Sequence, residues 1–346
     1  MVKKDIKSMT LAEIEVEMKA LGQPKFRAAQ IFDWLQKRCV TTFDEMTNLS
    51  KELRLLLDDG YYIANCEIED RFDSKLDETV KYLFRLNDGE CIESVLMKYE
   101  HGWSICISSQ VGCRMGCKFC ASTIGGLVRS LTASEMLSQI MTAQRDRGIR
   151  ISNIVMMGIG EPFDNFDNVV RFLTLVGDEK GLNIGMRHIS LSTCGRVDGI
   201  RRFMELDSQI TLSVSLHAPS DRIRNTMMPI NKKWNVVELI SACRDYFNCT
   251  GRRISFEYAL IKGVNDSREC ADELIRLLKG LVCHINLIPV NKVKENNYEK
   301  SDRVREFCNY LNQNGMNATV RRTLGSDISA SCGQLRQKHT QNETKL

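Results

Sequence analysis

Hydrophobic and polar positions divide the chain into stretches of different period. In residues 1–60, Leu11, Ile14, Met18 and Leu21 recur at helical spacing behind Thr10 and Glu13, which supply a capping box, until Gly22 and Pro24 stop the run. Phe26, Ile31, Trp34 and Leu35 predict a second helix, ringed by Lys25, Arg27, Lys37 and Arg38; Leu53, Leu56 and Leu57 predict a third that starts near Ser50. A small helical accessory domain is expected here. Its cations suit the phosphates of an RNA and equally suit an ordinary solvated face.

Over residues 61–98 the period changes to two. Val80, Tyr82, Phe84 and Leu86 alternate, Asn87, Asp88 and Gly89 supply a turn, and a second strand runs from Cys91 to Met97, so a linking β-hairpin is expected. Across residues 99–336 short apolar strands alternate with amphipathic helices. The strands read WSICISS, ISNIVMMG, RHISLST, ITLSVSLHA, RISFEYAL and HINLIPV. One representative helix opens at Thr132, closes a capping box with Glu135, buries Met136, Leu137, Ile140 and Met141, and ends near Gly148. Such alternation predicts an α/β fold with parallel strands and helical crossovers. Six units fall short of a closed eight-stranded barrel, so the expectation is a partial (β/α)6 barrel. The tail at 337–346, QKHTQNETKL, is polar and is expected to be disordered.

Composition sets the compartment. The chain opens on the charged run MVKKDIKS, and no apolar run approaches the ~18 residues of a membrane span, so a cytoplasmic protein without a membrane partner is expected. A formal charge of +4 permits an anionic partner without demanding one. Of 14 cysteines, Cys39, Cys66, Cys91, Cys243, Cys249, Cys270, Cys283 and Cys308 read as small buried hydrophobes in a reducing compartment. Cys113, Cys117 and Cys120 differ, because GCRMGCKFC spaces them as C-x3-C-x2-C. Three thiolates at that spacing can hold three corners of a four-iron cluster and leave the fourth iron open. Structural zinc is the competing reading, but it needs a fourth close ligand that the neighbouring sequence lacks.

Chemistry in parallel α/β folds gathers where strands end. The cysteine triplet follows the first predicted strand. Gly158, Gly160 and Glu161 follow the second, where small residues let backbone approach a ligand and a carboxylate can accept from an ammonium group. Ser192 ends the third strand, Ser215, Leu216 and His217 end the fourth, and Asn291 follows the sixth as a group able to read an adenine edge. His217 alone suits a satisfied core histidine as well as a ligand contact. His101, His188, His284 and His339 carry no metal-ligand spacing.

The motifs CISSQVGCRMGCKFCAS, MMGIGEPFDN, LSTCG, SLHAP, LIPVN and GSDISASCGQL, in that order from about residue 10 to residue 336, resemble the radical S-adenosylmethionine (SAM) adenine methyltransferases of 23S ribosomal RNA. The resemblance is nearest to the branch that modifies carbon 2 of an adenosine in 23S rRNA and of adenosine 37 in certain tRNAs. It implies a partial radical SAM barrel in which Cys113, Cys117 and Cys120 bind a 4Fe-4S cluster. It also implies SAM contacts at Gly160, Glu161, Ser192, Ser215, Leu216, His217 and Asn291. One electron from an external, flavodoxin-like donor would cleave SAM to methionine and a deoxyadenosyl radical. By the same resemblance Cys332 carries the methyl group as S-methylcysteine, Cys106 resolves the RNA adduct through a transient disulfide, and Glu93 accepts a proton. Two SAM are consumed per turnover, and the chain is expected to act as a monomer. On the residues alone Glu93 reads as a surface carboxylate and Cys106 as a buried strand residue. Arg321, Arg322, Lys232 and Lys233 suit phosphate contacts or plain solvation. Two other readings stay open: the sister activity at carbon 8 of the same rRNA adenosine, and a non-catalytic RNA-binding protein with structural zinc.

Overall fold

The computed structural model describes residues 3–206, 208–291, 297–331 and 333–335. A two-residue strand, β1 (Lys4–Asp5), opens the amino-terminal region and pairs in parallel with β2 (Tyr61–Tyr62) after three helices: α1 (Leu11–Ala20), α2 (Phe26–Gln36) and α3 (Lys51–Gly60). The Thr10–Glu13 capping box forms as the sequence requires, and Ser50 caps α3 through the Leu53 N–H. α2 buries Ala28, Ile31, Phe32 and Leu35 but leaves Phe26 exposed, and Leu56 of α3 is exposed as well. Lys7 seals this region to the barrel. Its ammonium is fully buried and donates to Ser138 Oγ (2.8 Å), Asn65 Oδ1 (3.2 Å) and the Ala64 carbonyl (3.3 Å). Burial pulls its pKa down to about 8.

Next come β3 (Cys66–Asp73), β4 (Val80–Leu86), β5 (Cys91–Tyr99) and β6 (Gly102–Cys106), an antiparallel meander. The expected hairpin is therefore three strands plus a partner, and it is continuous with the barrel sheet. β7 (Gln110–Gly112) and β8 (Leu127–Ser130) form a small ladder of their own, followed by α4 (Ala133–Arg147), with the Thr132–Glu135 capping box at its start and Gly148 left-handed at its end. The alternation then runs β9 (Ile151–Met156), α5 (Phe166–Gly177), β10 (Ile189–Thr193), α6 (Val197–Met204), β11 (Thr211–Ser215), α7 (Asp221–Met227), α8 (Val236–Thr250), β12 (Ile254–Leu260), α9 (Arg268–Leu278), β13 (Cys283–Pro289), α10 (Val304–Gln313) and β14 (Ala318–Val320).

Ten of the described strands make one sheet in the order β14-β13-β12-β11-β10-β9-β6-β5-β4-β3, parallel from β14 to β6 and antiparallel beyond. The six predicted parallel strands are all present, and β14 extends them. Apolar residues such as Ile105, Ile154, Leu191, Leu212, Val214, Phe256 and Leu287 are buried along the sheet, as strands covered on both faces require. Among the described residues no helix is long and apolar enough to cross a membrane.

Candidate active site

The residues after β6 leave the sheet as a loop pinched at its base by β7 and β8. Inside it the Cys113 N–H donates to the Gly126 carbonyl (2.7 Å), and the Lys118 N–H donates to the Met227 carbonyl at the end of α7 (2.9 Å). Thr123 Oγ1 donates to the Cys120 carbonyl (3.0 Å). These bonds set Cys113, Cys117 and Cys120 around one cavity. Cys113 and Cys117 are buried and Cys120 is half-buried. Burial pushes the Cys113 thiol up to about 12, and it raises Cys117 well above the ordinary range, with Cys120 and Cys113 adding to the effect on Cys117. A cation among the sulfurs favours their thiolate form, and iron is such a cation. Among the described residues no three Cys, His, Asp or Glu side chains converge to hold a single metal ion. The donor set of three soft sulfurs fits a four-iron cluster with one open iron and leaves tetrahedral zinc short of a ligand.

The cavity encloses about 960 Å³ including its open mouth. Its walls are the carboxyl ends of the parallel strands: Gly158 to Glu161 after β9, Ser192 to Cys194 at β10, Ser215 and His217 at β11, Ala259 in β12, and Asn291 after β13. Gly160 has φ +108°, and a Cβ there would lie 2.7 Å from Gln110 Cβ and 2.8 Å from the Gln110 nitrogen. Only glycine lets this loop lie against the chain leading to the cysteines.

Glu161 is 3 % exposed. One carboxylate oxygen accepts from the Cys194 N–H (2.7 Å) and the other from the Phe163 N–H (3.1 Å), while its own N–H donates to Gln110 Oε1 (2.9 Å). Burial raises its pKa against these bonds. Leu216, between Ser215 and His217, is buried and does not line the cavity: its N–H donates to the Glu257 carbonyl (3.1 Å) and its carbonyl accepts from the Ala218 N–H (2.8 Å). His217, at φ +55°, is also buried. Its Nδ1 accepts from the Ala259 N–H (2.9 Å), which leaves the proton of the neutral ring on Nε2, and burial drops its pKa to about 3.

Several contributors were not foreseen. Arg224 of α7 is wholly buried and donates to the carbonyls of Cys194 (2.6 Å), Leu216 (3.0 Å) and Ser215 (3.1 Å) and to Asn231 Oδ1 (2.9 Å). One guanidinium thus ties the ends of β10 and β11 together. A Cβ at Gly195 would come within 2.9 Å of it. Nothing in DRIRNTM marks that arginine as interior. Glu257, buried in β12 and lining the cavity, accepts from Asn286 Nδ2 (2.8 Å) and pairs with Arg321 at 3.7 Å. Arg321 is therefore a wall of the cavity, whereas Arg322, Lys232 and Lys233 are exposed.

Glu93 and Cys106 do not line this cavity. They share one face of the sheet beside it, because Val95 pairs directly with Cys106 and Glu93 lies two residues before Val95. Cys106 packs with Val95, Met97, Ile159 and Leu335. The surface reading of Glu93 is corrected: it is 2 % exposed and faces Lys81 Nζ at 3.4 Å. Cys332 lies outside the described residues. Its neighbour Gly333 lines the cavity and accepts from the Ala121 N–H (2.8 Å), and Ser122 Oγ donates to the Leu335 carbonyl (2.9 Å). Of the remaining thiols, Cys66, Cys91, Cys243, Cys270 and Cys308 are buried, Cys39 and Cys283 are half-buried, and Cys249 is exposed, against expectation.

Residues 107–278 match the model of the radical SAM superfamily, and residues 4–63 match that of the ribosomal RNA large subunit methyltransferase N-terminal domain. A curated relative from Alkaliphilus oremlandii, named "Probable dual-specificity RNA methyltransferase RlmN", is 55% identical over 344 residues, covering 99% of this chain and 100% of its own. A relative of the same name from Clostridium novyi is 53% identical over 341 residues, covering 98% and 99%. The crystal structure of a radical SAM methyltransferase from Sphaerobacter thermophilus superposes with a TM-score of 0.91 at 44% identity, over 96% of this chain and 99% of that one.

Proposed function

The chain belongs to the RlmN-type radical SAM RNA methyltransferases, and from that premise we propose that it methylates carbon 2 of an adenine in 23S rRNA and in tRNA, with Cys332 as the methyl carrier. Carbon 2 of adenine has neither a lone pair nor an acidic proton, so it cannot attack the methyl group of SAM, and a one-electron route is required. The enzyme uses a 4Fe-4S cluster and SAM. A cluster held through Cys113, Cys117 and Cys120 supplies, when bound, the electron that breaks the sulfonium carbon–sulfur bond.

The protein's own groups do the rest. Glu161, fixed by two backbone N–H groups, accepts from the ammonium of SAM. Ser192, Ser215, His217 and Asn291 hold its remaining polar edges, and the Nε2–H of His217 is a donor throughout the physiological range because the ring stays neutral. The Cys332 thiolate takes the methyl of a first SAM by displacement, giving S-methylcysteine. With a second SAM bound, the radical chemistry it would supply would take one hydrogen atom from the methyl on Cys332 as deoxyadenosine, the carbon would join the base with RNA tethered to Cys332, and the adduct would return one electron to the cluster as carbon 2 loses its proton. Glu93 accepts the proton lost from carbon 2. The Cys106 thiolate then attacks the Cys332 sulfur, the bond from that sulfur to the new carbon breaks toward the base, that carbon takes a proton from solvent to become the methyl group, and a Cys106–Cys332 disulfide remains for external reduction. An external flavodoxin-like protein supplies electrons, and the enzyme works in the cytoplasm as a monomer.

The observation that carries this reading is the convergence of the cysteine loop, Gly160–Glu161, Ser192, Ser215, His217 and Asn291 on one cavity, with Gly333 in its wall. Incubation of anaerobically reconstituted enzyme with SAM, reductant and unmodified rRNA and tRNA transcripts, followed by mass-spectrometric mapping, is expected to find 2-methyladenosine. A methyl at carbon 8 would move the chain to the sister activity. A colourless, zinc-loaded protein that methylates nothing would sink the enzymatic reading.

A further inference from the structure

We propose that the outer flank of the cysteine loop, formed by Arg114, Lys118, Arg196, Lys232, Lys233 and Trp234, is the docking surface for an acidic one-electron donor protein. The proposal rests on the radical reading above and names where its electron enters. Cys113 and Cys117 are buried, but the residues beside them reach the surface: Arg114 and Lys118 are exposed and Gly116 is half-exposed. A donor seated here meets the same short stretch of chain that carries those two sulfurs. The other flank of the loop is already taken. There the Ala121 N–H donates to the Gly333 carbonyl (2.8 Å) and Ser122 Oγ to the Leu335 carbonyl (2.9 Å), so that flank faces the segment bearing Cys332, and with it the RNA.

A chain of contacts makes these residues one patch. The Lys118 N–H donates to the Met227 carbonyl (2.9 Å), and a Cβ on Gly116 would lie 3.3 Å from Pro229 Cγ, so the loop lies directly against the short turn Pro229–Lys232. From the other end Arg114 donates twice to Asp164 (2.6 and 2.9 Å), and Asp164 also accepts from Arg196. The Arg196 guanidinium lies 6.0 Å from the centre of the Trp234 ring, over which Lys233 Nζ sits at 4.2 Å. The carboxylates nearby are engaged from within. Asp164 is 1 % exposed beneath its two arginines, Asp198 accepts from Arg196 (2.6 Å), and Asp221 accepts from the Asn231 amide and the Val236 N–H (2.8 Å each). Cations are therefore outermost: Arg114, Lys118, Lys232 and Lys233 are all exposed, around a half-buried indole. Transient redox partners bury little area and are steered by charge, so a positive rim selects a donor with an acidic face. RNA phosphates also favour cations, but the flank that faces the Cys332 segment is the opposite one. In the encounter one electron leaves the donor's reduced flavin and enters the cluster, the first oxidised and the second reduced by one unit, with no proton or further reactant exchanged.

The test uses the holoenzyme, a reduced recombinant flavodoxin and an RNA stem-loop containing the target adenosine. The double variant Lys232→Glu/Lys233→Glu should weaken flavodoxin binding about 10-fold at low salt, read by fluorescence anisotropy, and raising the salt to about 0.5 M should bring wild type close to the variant. Flavodoxin-driven deoxyadenosine formation should fall in step, whereas the dithionite-driven rate and the affinity for RNA should stay within about twofold of wild type. In the wild type, a zero-length carbodiimide crosslink should join flavodoxin carboxylates to Lys118, Lys232 or Lys233, a readout independent of turnover and of any variant's folding. Unchanged flavodoxin binding in the variant, an equal loss with dithionite, a loss of RNA affinity in its place, or crosslinks only elsewhere would overturn the proposal. A wild-type enzyme that makes no deoxyadenosine even with dithionite would instead strike the radical reading, and the binding and crosslinking measurements would still decide the docking surface.

Discussion

Replacing Arg224 by Met removes a buried side chain that ties the ends of β10 and β11. Methionine matches much of the arginine stem and keeps the interior filled, so the change isolates the guanidinium. The carbonyls of Cys194 and Ser215 and the Asn231 amide oxygen lose the guanidinium as donor, while the Leu216 carbonyl keeps the Ala218 N–H (2.8 Å). Each buried acceptor left unpaired costs about 1–3 kcal/mol. Against that, the variant no longer buries a charge, which burial already disfavours in the native state. Breaking a buried, hydrogen-bonded charge network by removing one partner typically costs about 3–5 kcal/mol, and the expected loss lies in that range. Because α7 also accepts from Lys118 in the cysteine loop, iron retention should fall along with stability. Guanidinium denaturation followed by tryptophan fluorescence, with iron content and SAM affinity measured on the same preparation, checks both effects. An Arg224→Met protein within about 1 kcal/mol of wild type, with unchanged iron and SAM binding, would refute the reasoning.

Gly160→Ala places a Cβ against Gln110 at a φ that favours glycine; the expected cost is about 2–4 kcal/mol, with SAM affinity lost by equilibrium dialysis. Lys7 gives a pH signature. Burial depresses its folded pKa to about 8 from the ordinary lysine value of 10.5, so between those values the unfolded chain keeps a proton that the native protein has released. Wild-type stability should therefore rise relative to Lys7→Met from about pH 8 toward pH 10.5, by up to about 3 kcal/mol, as read from urea midpoints across that window; a constant difference would contradict the assignment. Cys106→Ala should accumulate a covalent RNA–protein adduct on denaturing gels, and Cys332→Ala should show neither adduct nor methylated RNA.

Features set by local chemistry were legible in the chain. The capping boxes at Thr10 and Thr132 need only residues three apart, and the six parallel strands are apolar runs bounded by turns. The cysteine triplet and the strand-end serines could likewise be placed, because strand ends in such a sheet point to one rim. What escaped reading depends on distant partners. β3, CEIEDRFD, is an exposed edge strand held by its pairing with β4 and carries too few apolar residues for period two to show. Glu93 looks solvent-facing because antiparallel strands often show one face to water. Here α4 covers the Ser94 face, where Ser94 Oγ donates to Gln139 (2.7 Å), and Leu335 packs beside Val95 on the other. Arg224 resembles any charge on a short helix, and only carbonyls from two separate loops make its burial tolerable. The roles of Cys106, Cys332 and Glu93 came from family resemblance alone, since no spacing relates three residues so far apart in sequence.

The most direct test of the account is the iron and sulfide content of oxygen-protected enzyme, measured together with deoxyadenosine formation on adding SAM and reductant. About four irons and four sulfides per chain, with deoxyadenosine produced by wild type and both signals lost in Cys117→Ala, is the predicted result. Protein that holds no inorganic sulfide, or a Cys117→Ala variant that cleaves SAM as well as wild type, would contradict it.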